Sequence, residues 1–242
     1  MKILSLDTST ATASLALCDG GRPLAEAALA VGRKRGEHLP DAIAWLLSTL
    51  GLTPAELEGF AVGLGPGSFT GLRSGLALIK GLALAGGQPV VGVSSLEALA
   101  AATGHLGPAL SVIDAHKGEV YAAVFKGLGP ERPLRLSPDH ALLPETLPDL
   151  LAASGVAGPY FPQLLVTGDG LTKHAKAIAT ALPGAAIAPP VLWTPRAAWT
   201  AALAGPRLTA GESDPLDPLA PVYVRSTDTE LRLGPRAGSP AS

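Results

Sequence analysis

Three aspartates in this 242-residue chain stand where strand patterns end: Asp7 after 2–6, Asp114 after 110–113 and Asp169 after 164–167. Acids at strand ends, beside glycine turns, are the means by which ATP-dependent kinases hold a hydrated cation and the phosphates it neutralises. That chemistry needs a bare backbone close to the acid. After Asp7 come Thr8, Ser9 and Thr10, whose side chains crowd such an approach. The three acids therefore read first as turn residues that bond their own backbone, with Asp7, Asp114 and Asp169 as the cofactor-binding candidates if a nucleotide is held at all.

A second candidate is the run Gly-Leu-Gly-Pro-Gly-Ser-Phe-Thr-Gly-Leu-Arg-Ser-Gly at 63–75. It follows a strand ending at Val62 and precedes Leu72, Leu76, Ile79 and Ala83, which recur at helical spacing. Bare amides at a helix start attract anions. A P-loop, however, continues Gly-Lys-Ser/Thr, and here Thr70-Gly71 is followed by Leu72-Arg73. A dinucleotide site places its glycines in the first βαβ unit with an acid about 20 residues on; the next strand, 90–93, ends in Ser94. The run reads as a tight turn with close helix packing, capped by Ser68 or Thr70.

Other reactive side chains are scattered. His38, His105, His116, His140 and His174 form no HxxxH or HExxH pair, the spacing a helical zinc site needs. Ser68 is not in a Gly-x-Ser-x-Gly elbow, since position 70 is Thr70. Lys117 and Glu119 read as a solvated hairpin, with a cleft-lining role as the functional alternative. Cys18 is the single cysteine, so no disulfide forms within the chain.

The elements that must position these groups follow from periodicity. Strands at 2–6, 13–17 and 24–29 form an antiparallel meander around the Asp19-Gly20-Gly21 turn. A helix at 37–50 shows Leu39, Ile43, Leu46, Leu47 and Leu50 on one face. Thr53-Pro54-Ala55-Glu56 opens a short helix with a capping box. The strand at 60–64, the glycine turn, a helix at 70–85, a strand at 89–93 and a helix from Ser94 or Ser95 to 103 follow. Then the pattern repeats: Leu110-Ser111-Val112-Ile113-Asp114 echoes Leu4-Ser5-Leu6-Asp7, and 120–125 stands where 14–17 stood, indicating a duplicated lobe. Residues 127–162 are rich in Pro and Gly, with a short helix near 144–153; a strand at 164–167, a helix at 172–181 and a helix opened by Thr194-Pro195 complete the pattern.

Composition narrows the class. Hydrophobic residues make up 47% and aromatics 4%, so the core is aliphatic. A net charge of −2 gives no cation surplus for holding RNA alone; Arg33-Lys34-Arg35 is one local cluster. No long apolar run predicts a membrane span, and Met1-Lys2 leads straight into a strand. A cytoplasmic protein is expected.

The glycine run, together with KILSLDTSTATASLAL at 2–17 and SVIDAHKGEVYAAVF at 111–125, resembles the TsaB (YeaZ) family, and Pro221-Val222-Tyr223-Val224-Arg225 adds to the likeness. The resemblance implies an α/β fold of two actin-like lobes, the superfold of actin, Hsp70 and sugar kinases, with mixed sheets and flanking helices. It implies a non-catalytic platform for a TsaD-type catalytic subunit that makes N6-threonylcarbamoyladenosine in tRNA, with a TsaE-type ATPase as third member. Nucleotide and metal would belong to those partners, tRNA would be met only within the complex, and this chain would carry no cofactor. The rival readings are an active ATP-dependent kinase of the same superfold and a metallopeptidase-like enzyme.

The expected organisation is a first lobe at 1–108, a second at 109–232 whose last helix packs back on the first, and a disordered, dispensable tail at 233–242. The partner surface is expected on the helices at 37–50 and 70–85, through Leu39, Ile43, Leu46, Leu47, Gly71, Leu72, Gly75, Leu76 and Ile79. The argument is that glycine inside a helix costs about 1 kcal/mol, which close approach of a partner helix would offset. The same surface would form a two-fold homodimer when the partner is absent.

Overall fold

The computed structural model describes residues 1–30, 35–127, 132–156 and 158–224. Arg33, Lys34, Arg225 and the tail at 233–242 lie outside the described residues.

Two sheets share one plan. In the first, β1 (Lys2–Asp7), β2 (Ala13–Asp19) and β3 (Arg22–Leu29) form the meander, and β4 (Gly59–Gly63) and β5 (Val90–Val93) run parallel to β1, in the order β3-β2-β1-β4-β5. In the second, β6 (Pro108–His116) takes the place of β1, β7 (Glu119–Lys126) that of β2, and β8 (Leu134–Arg135) and β9 (His140–Leu142) that of β3. Beside β6 lie the parallel strands β10 (Leu165–Thr167) and β11 (Ala186–Ile187), giving β11-β10-β6-β7-β8 with β9 also on β7. This duplicated order is the actin-like architecture, with mixed sheets and flanking helices.

The helices are α1 (Arg35–Thr49), α2 (Phe69–Gly86), α3 (Ser95–Ala102), α4 (Leu147–Ala153), α5 (Leu171–Ala181) and α6 (Ala197–Thr209). Ser68 caps α2, its Oγ accepting from the Gly71 amide, and Ser94 caps α3 by accepting from Glu97 N. Thr53 and Glu56 close the expected capping box. The last helix departs from its sequence signal: it starts at Ala197 after an uncapped Arg196, because Ser14 Oγ, one lobe away in sequence, accepts the Ala197 amide.

Helices α1 and α2 cover one face of the first sheet, sharing a core with Leu4, Leu6, Leu15, Phe60 and Val62. Helix α6, late in the chain, covers the other face through Ala197, Ala201, Ala204 and Leu208. Helix α3 crosses the other way and packs Leu96, Leu99 and Ala100 on Ala109, Ile113, Ala123 and Phe125 of the second sheet. The halves are thus joined by apolar burial, and a buried Glu97 ion-paired with Arg132 adds a polar tie. Beyond α6 the chain runs back along β5, the edge of the first sheet. Asp214 N donates to Val90 O, Asp214 Oδ2 accepts from Gly92 N, and Val222 N donates to Leu64 O, each at 2.8 Å. Leu216 and Leu219 pack on the first core. This strap satisfies edge groups that would otherwise invite another strand.

Candidate functional site

Between the lobes lies a cleft of about 270 Å³ whose walls include Ser9, Ser68, Asp114, His116, Asp169 and Lys173. Two of the three candidate acids meet there and one does not.

Asp7 is buried, at 1% exposure, behind the cleft wall. Its Oδ1 accepts from Ser9 N at 2.9 Å and Ser9 Oγ at 2.6 Å, and its Oδ2 from Ser95 Oγ at 2.7 Å. The Ser95 Oγ in turn accepts from Gly65 N. Burial pushes the Asp7 carboxyl up from its ordinary range, against the bonds from the Ser9 hydroxyl, the Ser9 amide and Ser95. The acid therefore ties β1 to the glycine turn and to α3. The turn reading of Asp7 from sequence captured its bond to Ser9 but missed Ser95, 88 residues away.

The glycine turn is filled by its own chain. Ser68 N donates to Ser9 O at 2.6 Å. A Cβ on Gly67 would fall 2.2 Å from that same oxygen, and one on Gly63 would fall 2.1 Å from Asp7 Oδ2. Gly65 sits at φ +92°, a conformation glycine adopts freely. The backbone approach that a phosphate would use is occupied by residue 9.

On the second lobe, Asp114 N donates to Asp169 Oδ1 at 3.2 Å. Asp114 itself is paired: Lys173 Nζ donates to its Oδ2, His116 N to its Oδ1, and His174 Nε2 lies 3.5 Å from Oδ1. Burial pushes Asp114 up, but the Lys173 and His116 bonds and charges outweigh it and hold the carboxyl below its ordinary range. Asp169 lacks such partners. Burial first, and the neighbouring Asp114 charge after it, push it up to about 6. Lys173 was absent from the sequence-based candidates, and His174 stood there only among the unpaired histidines. Their signal was the acid itself, since Asp169 stands four residues before Lys173 at the start of α5. Of the hairpin that follows Asp114, His116 lines the cleft rather than Lys117 or Glu119. His38 is exposed on α1 and His105 meets Gln163 O at 2.7 Å. Among the described residues, no group of three or more His, Cys, Asp or Glu is placed to hold a metal ion.

The raised Asp169 gives a pH-dependent stability of known sign. Its folded-state pKa, about 6, exceeds the unfolded 3.8, so the folded chain binds the extra proton. Stability from the neutral carboxyl is complete below pH ~4 and is lost as pH rises through ~6, by roughly 3 kcal/mol at most. Asp169→Asn keeps the acceptor for Asp114 N. It should raise the melting temperature at pH 8 by several degrees and leave it nearly unchanged at pH 3, below the unfolded pKa. An equal shift at both pH values would assign the effect to packing instead.

The expected partner surface requires a correction. Leu39, Ile43, Leu46, Leu47, Leu72, Leu76 and Ile79 are all 5% exposed or less, and Gly71 and Gly75 are buried too. They form the inner faces of α1 and α2. Gly75 is small because of Thr8, not because of a partner helix: a Cβ there would lie 2.4 Å from Thr8 Oγ1, which also donates to Gly71 O. The outward faces carry other residues. On α1, Trp45 is 58% exposed, and on α2 Leu84 is 72% exposed, with Phe69, Arg73, Ala77 and Gly81 along the same exposed side.

Comparison with known proteins agrees with this architecture. Residues 30–197 match the family model of TsaD, tRNA N6-adenosine threonylcarbamoyltransferase. Over 129 residues the chain is 36% identical to the tRNA threonylcarbamoyladenosine biosynthesis protein TsaB of Escherichia coli, a match covering 52% of this chain and 55% of that protein. The Bacillus subtilis TsaB is 35% identical over 127 residues, covering 52% and 56%. The chain thus spans about half the length of the curated relatives it matches. In three dimensions it superposes on YeaZ from Pseudomonas aeruginosa with a TM-score of 0.76 and 28% identity, covering 92% of this chain and 99% of that one. The chain belongs to the family that the threonylcarbamoyltransferase model describes, as one of its TsaB (YeaZ) members.

Proposed function

We propose that this chain is the non-catalytic platform subunit that binds and supports a TsaD-type catalytic subunit in making N6-threonylcarbamoyladenosine in tRNA. Relatives carrying the TsaB name are described as proteins of that biosynthesis. The observation that carries the platform role is the state of the first-lobe turn. In a kinase of this superfold, the first acid and the glycine turn stay open to phosphate. Here Asp7 is consumed by Ser9 and Ser95, and the Gly67 backbone is packed on Ser9 O. Nucleotide and metal are then the partners' to bind, a TsaE-type ATPase joins the assembly, and tRNA is engaged only within it. The protein works in the cytoplasm; no helix among the described residues is long and apolar enough to cross a membrane. Among the described residues, no arrangement of side chains supports the kinase or peptidase reading.

The test is reconstitution. The purified chain is expected to show no ATP hydrolysis and no threonylcarbamoyl transfer alone, and to be required for transfer when added to the catalytic subunit. Calorimetry with Mg-ATP should give no tight one-site isotherm. Turnover by the chain alone that disappears in Asp7→Ala would establish the kinase reading instead.

A further inference from the structure

The described chain passes from one sheet to the other through Ser94 and α3, and returns between β11 and α6. In proteins whose lobes close around a ligand, a few residues at such element ends absorb the change in backbone angle. Here those residues are bonded to both lobes.

At the first crossing, α3 packs on the second sheet through Leu96, Leu99 and Ala100, so a swing of the lobes falls on Ser94 and Ser95. These neighbours are held from opposite sides. Arg135 of β8 donates through Nη2 to Ser94 Oγ at 2.8 Å, and its guanidinium carbon lies 4.8 Å from the centre of the Phe125 ring. Asp139 Oδ1 fixes that arginine by accepting from Nη1 at 2.6 Å. On the first-lobe side, Ser95 N donates to Gly65 O at 2.8 Å and Ser95 Oγ to Asp7 Oδ2 at 2.7 Å.

At the second crossing, Thr167 Oγ1 of β10 donates to Leu192 O, and Trp193 Nε1 donates to Ala188 O, each at 2.7 Å. Trp193 also packs on the second core. Arg196 is ion-paired with Glu26 of β3. Ala197 N donates to Ser14 Oγ at 2.9 Å, and Ala197 O accepts from Ser5 Oγ at 2.7 Å. Between the residues held by the second lobe and those held by the first stand Thr194 and Pro195. The proline ring fixes one φ, and its Cδ restricts the residue before it. Ser5, Ser14, Ser95 and Thr167 are all 1% exposed or less, where an opened bond leaves a polar group without water to replace its partner.

We propose that both crossings are locked, so that the lobes keep one relative orientation and the cleft one width. The chain is a rigid body at the place where a kinase of this superfold bends. This is a property of the chain alone, and it stands or falls apart from the platform reading.

The test is a distance distribution between spin labels on the full chain, with melting temperature followed in parallel. Ala55→Cys in the first lobe and Ala179→Cys in the second put the labels on exposed positions. Cys18 is buried, and burial pushes its thiol up to about 11, so it stays unlabelled. The otherwise wild-type chain should give one narrow distribution. Arg135→Met alone and Pro195→Gly alone should stay narrow, because the other crossing still holds. The two together should broaden the distribution by several ångström while the melting transition is kept. A broad or two-peaked distribution in the wild-type background would overturn the lock, and so would a folded double variant as narrow as the wild type. If the double variant has no melting transition, hydrogen exchange of the wild-type chain decides. The Ser95 and Ala197 amides should then exchange only through global unfolding. Exchange by a local opening well below the global stability would show that the crossings open in the native protein, and the proposal would fail.

Discussion

Replacing Gly67 with alanine is expected to destabilise the protein by about 3 kcal/mol or more, lowering the melting temperature by about 10 °C. The new Cβ would fall 2.2 Å from Ser9 O and 2.8 Å from its carbonyl carbon. These are backbone atoms and cannot rotate away. Moving Ser9 would also pull its amide and hydroxyl off Asp7 Oδ1, leaving a buried carboxylate short of donors, and an uncompensated buried charge is costly. Gly81→Ala is the contrasting variant. Gly81 sits inside α2 with nothing within 4 Å of its would-be Cβ, so alanine there should gain about 0.5–1 kcal/mol through helix propensity and unfolded-state entropy. Thermal melts of the two variants decide the point. Equal destabilisation would mean that glycine serves α2 for some reason other than contact with Ser9.

The second large effect concerns docking. Trp45→Glu combined with Leu84→Glu is expected to weaken binding of the TsaD-type subunit by more than about a hundredfold while leaving the melting temperature within a few degrees. Both side chains project into solvent, at 58% and 72% exposure, and under the platform reading they are the large apolar groups that α1 and α2 offer to a partner. The same variant should abolish the homodimer expected of the isolated chain, read by sedimentation at high concentration. The inner positions behave differently. Leu76→Arg would place a charge in the first core, and Gly75→Arg would drive a side chain into Thr8; both should unfold the lobe rather than merely break docking. Wild-type affinity in the Trp45/Leu84 double variant would move the partner surface off these helices.

Local periodicity determined a large part of this protein. The meander, α1, α2 and the Ser68 cap are visible in residue spacing, because apolar recurrence and capping chemistry act within one or two turns. The echo of Leu4–Asp7 in Leu110–Asp114 revealed the duplicated lobes for the same reason: each lobe folds by the same short-range rules. What the sequence left open was which side of each element faces inward, and which partner each polar group finds. Leu72, Leu76 and Ile79 read from spacing as part of a partner-facing stripe, since apolar residues ring α2. Only the sheet beneath it made them core and left Leu84 outside. Gly75 announced a close approach, but only the fold supplied Thr8 as the group that approaches. Asp7, Asp114 and Asp169 looked equivalent as acids at strand ends. The tertiary structure separated them by bringing Ser95 to the first and Lys173 to the second, and leaving the third to desolvation, because hydrogen bonding and burial depend on neighbours 50 to 90 residues away that no local pattern encodes.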